Sequence, residues 1–259
     1  MTTVVKIGGN IIDGEEALRK FCSDFASLGG PKILVHGGGV MASQLQRRLG
    51  EEPVMVEGRR VTDENALRAV TMTYAGWCNK HIVALLQACG CNAIGLAGCD
   101  ASLITASRRP PVALADGSGT LDYGFVGDVR KDSIDSATLL GLLGLGLVPV
   151  FCAINHDGQG NLLNTNADTV ACAISCAINA KLLYCFEKNG VLYDRFDEES
   201  VIPELDTRLY ARLRAEGRIA DGMIPKLDNA FKALGDGAAE VRIMHAGNLL
   251  SESGTRLAL

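Results

Sequence analysis

Short β-branched runs alternate with amphipathic helical stretches from the first residues onward: a strand-like run at 3–7, a helical one at 15–27, a strand at 32–36 and a helix at 40–49. Parallel strands cannot be joined by tight turns and need a crossover of about a dozen residues or more, so this order dictates a largely parallel sheet covered by helices on both faces. Further strand-like runs lie at 54–57, 92–95, 148–154, 182–186 and 240–244, with helical stretches between most of them. Sheets of this kind bind ligands beyond the carboxyl ends of their strands. Residues 106–131, with Arg-Arg-Pro-Pro and Asp-Gly-Ser-Gly, read as an excursion of hairpins and loops. A helix of small residues at 167–180 precedes a restart of the alternation at Leu182, where a second lobe is expected to begin.

At 259 residues, 47% hydrophobic and 21% charged, the chain has the balance of a globular protein with room for one large domain or two small lobes. A formal net charge of −5 without a basic run excludes a protein whose affinity comes from neutralising nucleic-acid phosphates. The nine cysteines form an odd number without a C-x-x-C pair, so they read as small core residues, and the N-terminus enters a strand at once; a reducing cytoplasm is the expected compartment. Residues 136–156 carry no formal charge with His156 neutral, yet Gly141, Gly144, Gly146 and Pro149 divide them into a helix (137–145) and a strand (147–154) rather than a membrane span.

Two glycine clusters close the first two strands: Lys6-Ile7-Gly8-Gly9-Asn10 and His36-Gly37-Gly38-Gly39. Glycine lets backbone N–H groups approach an anion and the following helix adds its dipole, so each loop is a candidate phosphate or carboxylate cradle; a tight turn alone would explain either one. Lys6 says more, because a lysine inside an apolar strand is costly to bury without an anionic partner. Asp168 opens a helix after Asn164-Thr165-Asn166-Ala167 and has either a capping or a chemical role. Lys226, in Asp221-Gly222-Met223-Ile224-Pro225-Lys226, occupies a first helical turn, where the dipole disfavours a cation unless an anion sits beside it. Gly58-Arg59-Arg60-Val61-Thr62 offers arginines able to hold a carboxylate. No P-loop is present, and the histidines lack metal-ligand spacing. Gly37-Gly38-Gly39-Val40-Met41-Ala42 also fits the dinucleotide pattern G-x-G-x-x-A, with Glu57 about twenty residues on, but that alternative leaves Lys6 and the polar cluster in the second half unexplained.

Taken in order, Lys6-Ile7-Gly8-Gly9, His36-Gly37-Gly38-Gly39, Gly58-Arg59-Arg60-Val61-Thr62, Asn164-Thr165-Asn166-Ala167-Asp168 and Asp221-Gly222-Met223-Ile224-Pro225-Lys226 closely resemble the motif series of the amino acid kinase family, over nearly the whole chain. The resemblance implies a three-layer αβα sandwich with a central, mainly parallel sheet and two lobes, an N-terminal one (about 1–170) binding an acyl-amino acid and a C-terminal one (about 171–259) binding the nucleotide. The implied reaction is MgATP-dependent phosphorylation of the γ-carboxylate of an N-acyl-L-glutamate, on the way to arginine, with N-acetyl as the acyl group and N-succinyl as the alternative. A non-catalytic amino-acid or nucleotide-binding module is a further alternative.

The same resemblance assigns roles. Lys6 and Lys226 stabilise the phosphoryl group in transit and Asp168 orients both. Gly8, Gly9 and Asn10 receive phosphate, and Gly38, Gly39, Arg60 and Asn164 hold the acyl-amino acid. Glu187, Lys188, Asn189, Gly190, Leu192 and Ile219 surround the nucleotide, with Mg²⁺ held mainly through phosphates and no direct protein ligand. Glu187-Lys188-Asn189-Gly190 departs from the family's usual Asp-Val-x-Gly. Arginine-inhibited relatives carry a helix ahead of the first strand; here that strand starts by Thr3, which implies an arginine-insensitive homodimer.

Overall fold

The computed structural model describes all residues except 115, 116, 118, 195 and 220. The strands of its main sheet are β1 (Thr3–Ile7), β2 (Lys32–His36), β3 (Ala93–Leu96), β4 (Val148–Cys152), β5 (Lys181–Phe186), β6 (Glu204–Asp206), β7 (Glu240–His245) and β8 (Thr255–Ala258). Across the sheet they run β6-β8-β7-β5-β1-β2-β4-β3. Every neighbouring pair is parallel except β7 and β8. The chain builds from β1 through β2 towards the β3 edge and then crosses back to β5 on the other flank of β1. The winding therefore changes side at β1, and the crevice beyond its carboxyl end is where an open sheet takes a ligand.

The helices are α1 (Gly9–Asp13), α2 (Glu15–Ser27), α3 (Gly39–Arg48), α4 (Glu64–Thr71), α5 (Asn79–Ala88), α6 (Ser136–Gly144), α7 (Ala167–Ala177), α8 (Thr207–Ala215) and α9 (Ile224–Asp236). Successive strand side chains point to opposite faces. Val4, Ile33, Val35, Leu182 and Tyr184 pack with α7 and α9, whereas Val5, Leu34, Leu183 and Cys185 pack with α2 and α5. Both faces are thus buried, which is why the strands read as continuous apolar runs. A smaller cluster containing Ala42, Val70, Tyr74 and Ile154 lies under α3 and α4.

Several boundaries differ from expectation. The run at 54–57 joins no parallel sheet: Met55–Val56 pairs antiparallel with Arg59–Arg60 across Glu57 and Gly58, both at positive φ. Two such residues make the type I′ turn that matches strand twist. Glu57 consequently sits on a hairpin away from the main sheet, not at the strand end that a dinucleotide site requires. The run at 148–154 breaks at Ala153, after which Ile154–His156 forms a hairpin with Leu162–Asn164. The helix expected to reach 180 ends at Ala177. Residues 106–131 do form hairpins, Ser107–Arg108 with Gly127–Asp128 and Val112–Ala113 with Thr120–Leu121; Asp116 and Ser118 of the Asp-Gly-Ser-Gly turn lie outside the described residues. The uncharged stretch becomes α6 followed by β4, and no helix among the described residues is long and apolar enough to cross a membrane.

Candidate active site

Strand parity places the first functional side chain. Val5 and Ile7 face α2 and α5, so Lys6 faces α7, and it is only 8% exposed. The N-terminus of α7 is capped by Asn166, whose side-chain oxygen accepts the N–H groups of Asp168 (2.7 Å) and Thr169 (3.3 Å). Capping by Asn166 releases the Asp168 carboxylate, and its Oδ1 lies 2.7 Å from Lys6 Nζ. The Tyr184 hydroxyl, on the same face of β5, donates to the Asp168 carbonyl (3.1 Å) and pins the turn.

Lys226 enters from the first turn of α9. Its Nζ lies 3.9 Å from the ring centroid of Phe186, and Lys6 Nζ lies 5.2 Å from the same centroid. An aromatic face attracts a cation by about 0.5–2 kcal/mol, which offsets part of the cost of desolvating two ammonium groups. Burial pushes the Lys226 ammonium below its ordinary range, Lys6 pushes it further, and Asp168 and Glu187 oppose the shift. Two cations gathered around one ring, with a single directly paired carboxylate, form a site that a polyanion completes.

The glycine loops flank this cluster. Gly8 closes β1 and caps α1, and Gly9 and Asn10 follow in the first turn; a Cβ on Gly9 would meet only Asp13 Oδ2, at 3.8 Å. Gly38 caps α3 at φ +151, where a Cβ would lie 3.0 Å from both Cys78 Sγ and a Tyr74 ring carbon, so this position requires glycine. At Gly39 a Cβ would approach the Tyr74 hydroxyl at 3.8 Å. Behind the loop, His36 is fully buried on the α5 side. Asn79 donates to His36 Nε2 (3.0 Å) and to the Val150 carbonyl (2.9 Å), which makes Nδ1 the protonated nitrogen, donating to the Gly37 carbonyl (2.8 Å). Burial pushes the imidazole down to about 4, with a smaller contribution from Lys80, so the ring is neutral.

Arg60 and Asn164 meet Gly39, Met55, Gly58, Arg59, Tyr74, Val126, Thr165 and Asn166 around a pocket of about 200 Å³. The Arg60 guanidinium is buried and donates to Gln46 Oε1 (2.6 Å), Ser43 Oγ (2.7 Å) and the Gly39 carbonyl (3.0 Å). All three acceptors are neutral, and among the described residues Arg60 forms no ion pair. Its charge is fixed in place and available to a carboxylate. Asn164 is held by its Nδ2 donating to Thr62 Oγ1 (3.0 Å). The excursion reaches this pocket as well through Val126, and the Arg59 guanidinium at its rim is pushed down by burial first and by Arg109, itself paired with Asp128, second.

On the far flank, Lys188, Gly190, Leu192 and Ile219 line a mainly apolar pocket of about 130 Å³ with Val191, Arg218 and Met223. Glu187 lies towards Lys226 and neither it nor Asn189 lines that pocket. Lys188 pairs with Glu198 (2.7 Å). Lys6, Asp168 and Lys226 are therefore brought together, Gly38, Gly39, Arg60 and Asn164 form a second group, and the nucleotide candidates divide. Phe186 and Tyr74 were missed in the sequence; the available signal for Phe186 was its parity with Tyr184, on the face of β5 that Lys6 shares.

The chain belongs to the amino acid kinase family, whose model matches residues 1–245. Among curated proteins it is 48% identical to the acetylglutamate kinase of Bacteroides fragilis over 259 residues, covering 98% of this chain and 96% of that protein. It is 49% identical to the acetylglutamate kinase of Cytophaga hutchinsonii over 251 residues, covering 95% and 92%. Among solved structures, an N-acetylglutamate synthase from Neisseria gonorrhoeae, complexed with coenzyme A and N-acetyl-glutamate, shares the fold at a TM-score of 0.80 and 23% identity; the match covers all of this chain and 59% of that one.

Proposed function

We propose that this protein is an acetylglutamate kinase, transferring the γ-phosphoryl group of ATP to the γ-carboxylate of N-acetyl-L-glutamate. The observation that carries the reading is the Lys6–Asp168–Lys226 cluster at the strand where the winding changes side, next to a pocket whose buried arginine has no carboxylate partner among the described residues.

The acceptor carboxylate, with an ordinary pKa near ~4.3, is already ionised and needs no general base. An oxygen of that carboxylate forms a bond to the γ-phosphorus while the bond to the bridging oxygen of ADP breaks, and no proton changes hands. What the protein must supply is alignment and positive charge. Lys6 and Lys226 supply charge to the phosphoryl oxygens, and Asp168 holds Lys6 in place and moderates Lys226. Gly8, Gly9 and Asn10 present the end of α1 to the phosphates, while Gly38 and Gly39 present that of α3 to the acceptor. Arg60 takes the α-carboxylate and Asn164 the amide. The N-terminal lobe (about 1–170) thus binds the acyl-amino acid and the C-terminal lobe (about 171–259) the nucleotide, its base against Leu192, Gly190 and Ile219 near Glu187, Lys188 and Asn189. Mg²⁺ would come with ATP and be held mainly through its phosphates. The reading places the enzyme in the cytoplasm and in arginine biosynthesis.

The test is ADP release with MgATP, the acyl phosphate trapped as its hydroxamate, against N-acetyl-L-glutamate, N-succinyl-L-glutamate, L-glutamate and L-aspartate. Turnover with N-acetyl-L-glutamate is the expected result. Turnover with the succinyl compound alone would reassign the acyl group, and tight ATP binding without turnover on any acceptor would make the protein a binding module.

A further inference from the structure

A further cleft lies outside the site described above. It has a volume of about 440 Å³ and runs between α7, α9 and the segment from Val129 to Asp132. Cys172 and Cys176 form part of its wall, one turn apart on α7, with their sulfurs 4.0 Å apart. Cys172 is buried and Cys176 half-buried. The Cys176 thiol donates to the Ala233 carbonyl of α9 (3.3 Å), and Cys172 donates to Cys176. That hydrogen bond draws Cys176 below the ordinary thiol range and raises Cys172, with Lys131 acting on Cys176 in the same downward direction. A disulfide needs its sulfurs at about 2.0 Å, which the rigid spacing of one helical turn opposes. A soft centre that bridges two sulfurs suits the gap better, and thiolates select such centres.

We propose that Cys172 and Cys176 form a dithiol site, opening on the α7–α9 cleft, for thiophilic soft centres of the trivalent-arsenic type. Binding of phenylarsine oxide exchanges two S–H bonds for two As–S bonds and releases one water, with arsenic remaining trivalent. The phenyl group lies in the cleft. Neither thiol belongs to the catalytic machinery, so the site stands whether or not the kinase reading does.

Native protein is titrated with phenylarsine oxide and analysed by intact mass and by alkylation mapping. The expected result is one phenylarsenic per chain that resists an excess of monothiol and is released by a dithiol. Cys176 should be protected from iodoacetamide, and the adduct should be lost in both Cys172→Ser and Cys176→Ser. Retention of the adduct in Cys176→Ser, removal by monothiol, or protection of Cys89 and Cys91 in place of Cys176 would overturn the proposal. The wild-type protection experiment keeps the test valid if the buried Cys172→Ser variant folds poorly.

Discussion

The two lysines differ in how they are held, and their variants should still fail alike. Lys6 is paired to Asp168, whereas Lys226 rests on the Phe186 ring with its proton affinity lowered by burial and by Lys6. Lys6→Ala and Lys226→Ala are each expected to lower kcat by about 10² or more with an unchanged circular dichroism spectrum, because a cation aimed at developing phosphoryl charge acts chiefly in the transition state. Near-normal turnover would remove that lysine from the mechanism. Tyr74 gives a subtler case. Its buried phenol lines the acceptor pocket beside Arg60, which holds its three acceptors without it. Tyr74→Phe takes one polar group worth about 1 kcal/mol out of that pocket, so KM for the acyl-glutamate should rise about 3- to 10-fold with kcat nearly constant, as steady-state kinetics would show. Lys6 and Lys226 stand out in the sequence because a cation in an apolar strand or in a first helical turn conflicts with its surroundings, whereas Asp168 suits its helix start and reads equally well as a cap. Phe186 and Tyr74 were not, since an aromatic residue there satisfies every core pattern and only the assembled geometry shows what it touches.

At the level of elements, the turn after β2 is fixed from beneath by a helix that changes its winding. Residues Met72–Cys78, between α4 and α5, form a π-helical segment. This segment brings Tyr74 and Cys78 together under Gly38. No residue pattern announces a π segment, which is why the contact could not be foreseen while Gly38 itself could. Gly38→Ala forces a side chain into φ +151 and into 3.0 Å contacts. It is expected to cost about 1–3 kcal/mol, read as a lower urea midpoint at constant m-value, together with a raised KM for the acceptor. Two strands on the β7 flank were also invisible: Glu204–Asp206 offers only Leu205 as a buried residue, and Thr255–Ala258 alternates between buried and accessible positions. The central strands were read nearly to the residue, because burial on both faces leaves an unbroken apolar signature that short half-covered strands lack.

For the molecule as a whole, the neutral His36 links stability to pH. The unfolded chain takes up this proton below about 6.5 and the folded one only near 4, so the unfolded state binds more protons between these values. Stability should be intact above pH 6.5 and fall by up to about 3 kcal/mol as pH drops towards 4, and His36→Gln should flatten that part of the urea-midpoint profile. Met72 and Trp77 are exposed on the π segment; we propose that these apolar side chains meet a second copy of the chain, for which light scattering should give twice the chain mass, and a monomer mass would exclude it. The sheet itself imposes an order on biosynthesis. Strand β1 is bonded along its whole length to β2 on one side and to β5 on the other. Its partner on the second side is made some 175 residues later. At roughly 5–20 residues per second, the nascent chain carries an open β edge for on the order of ten to thirty seconds, with Lys6 as its only charge. Lys6, proposed to meet phosphate in the finished protein, is thus also the single charge that this edge presents while the ribosome is still at work, and a charge on an open edge disfavours pairing with a neighbour.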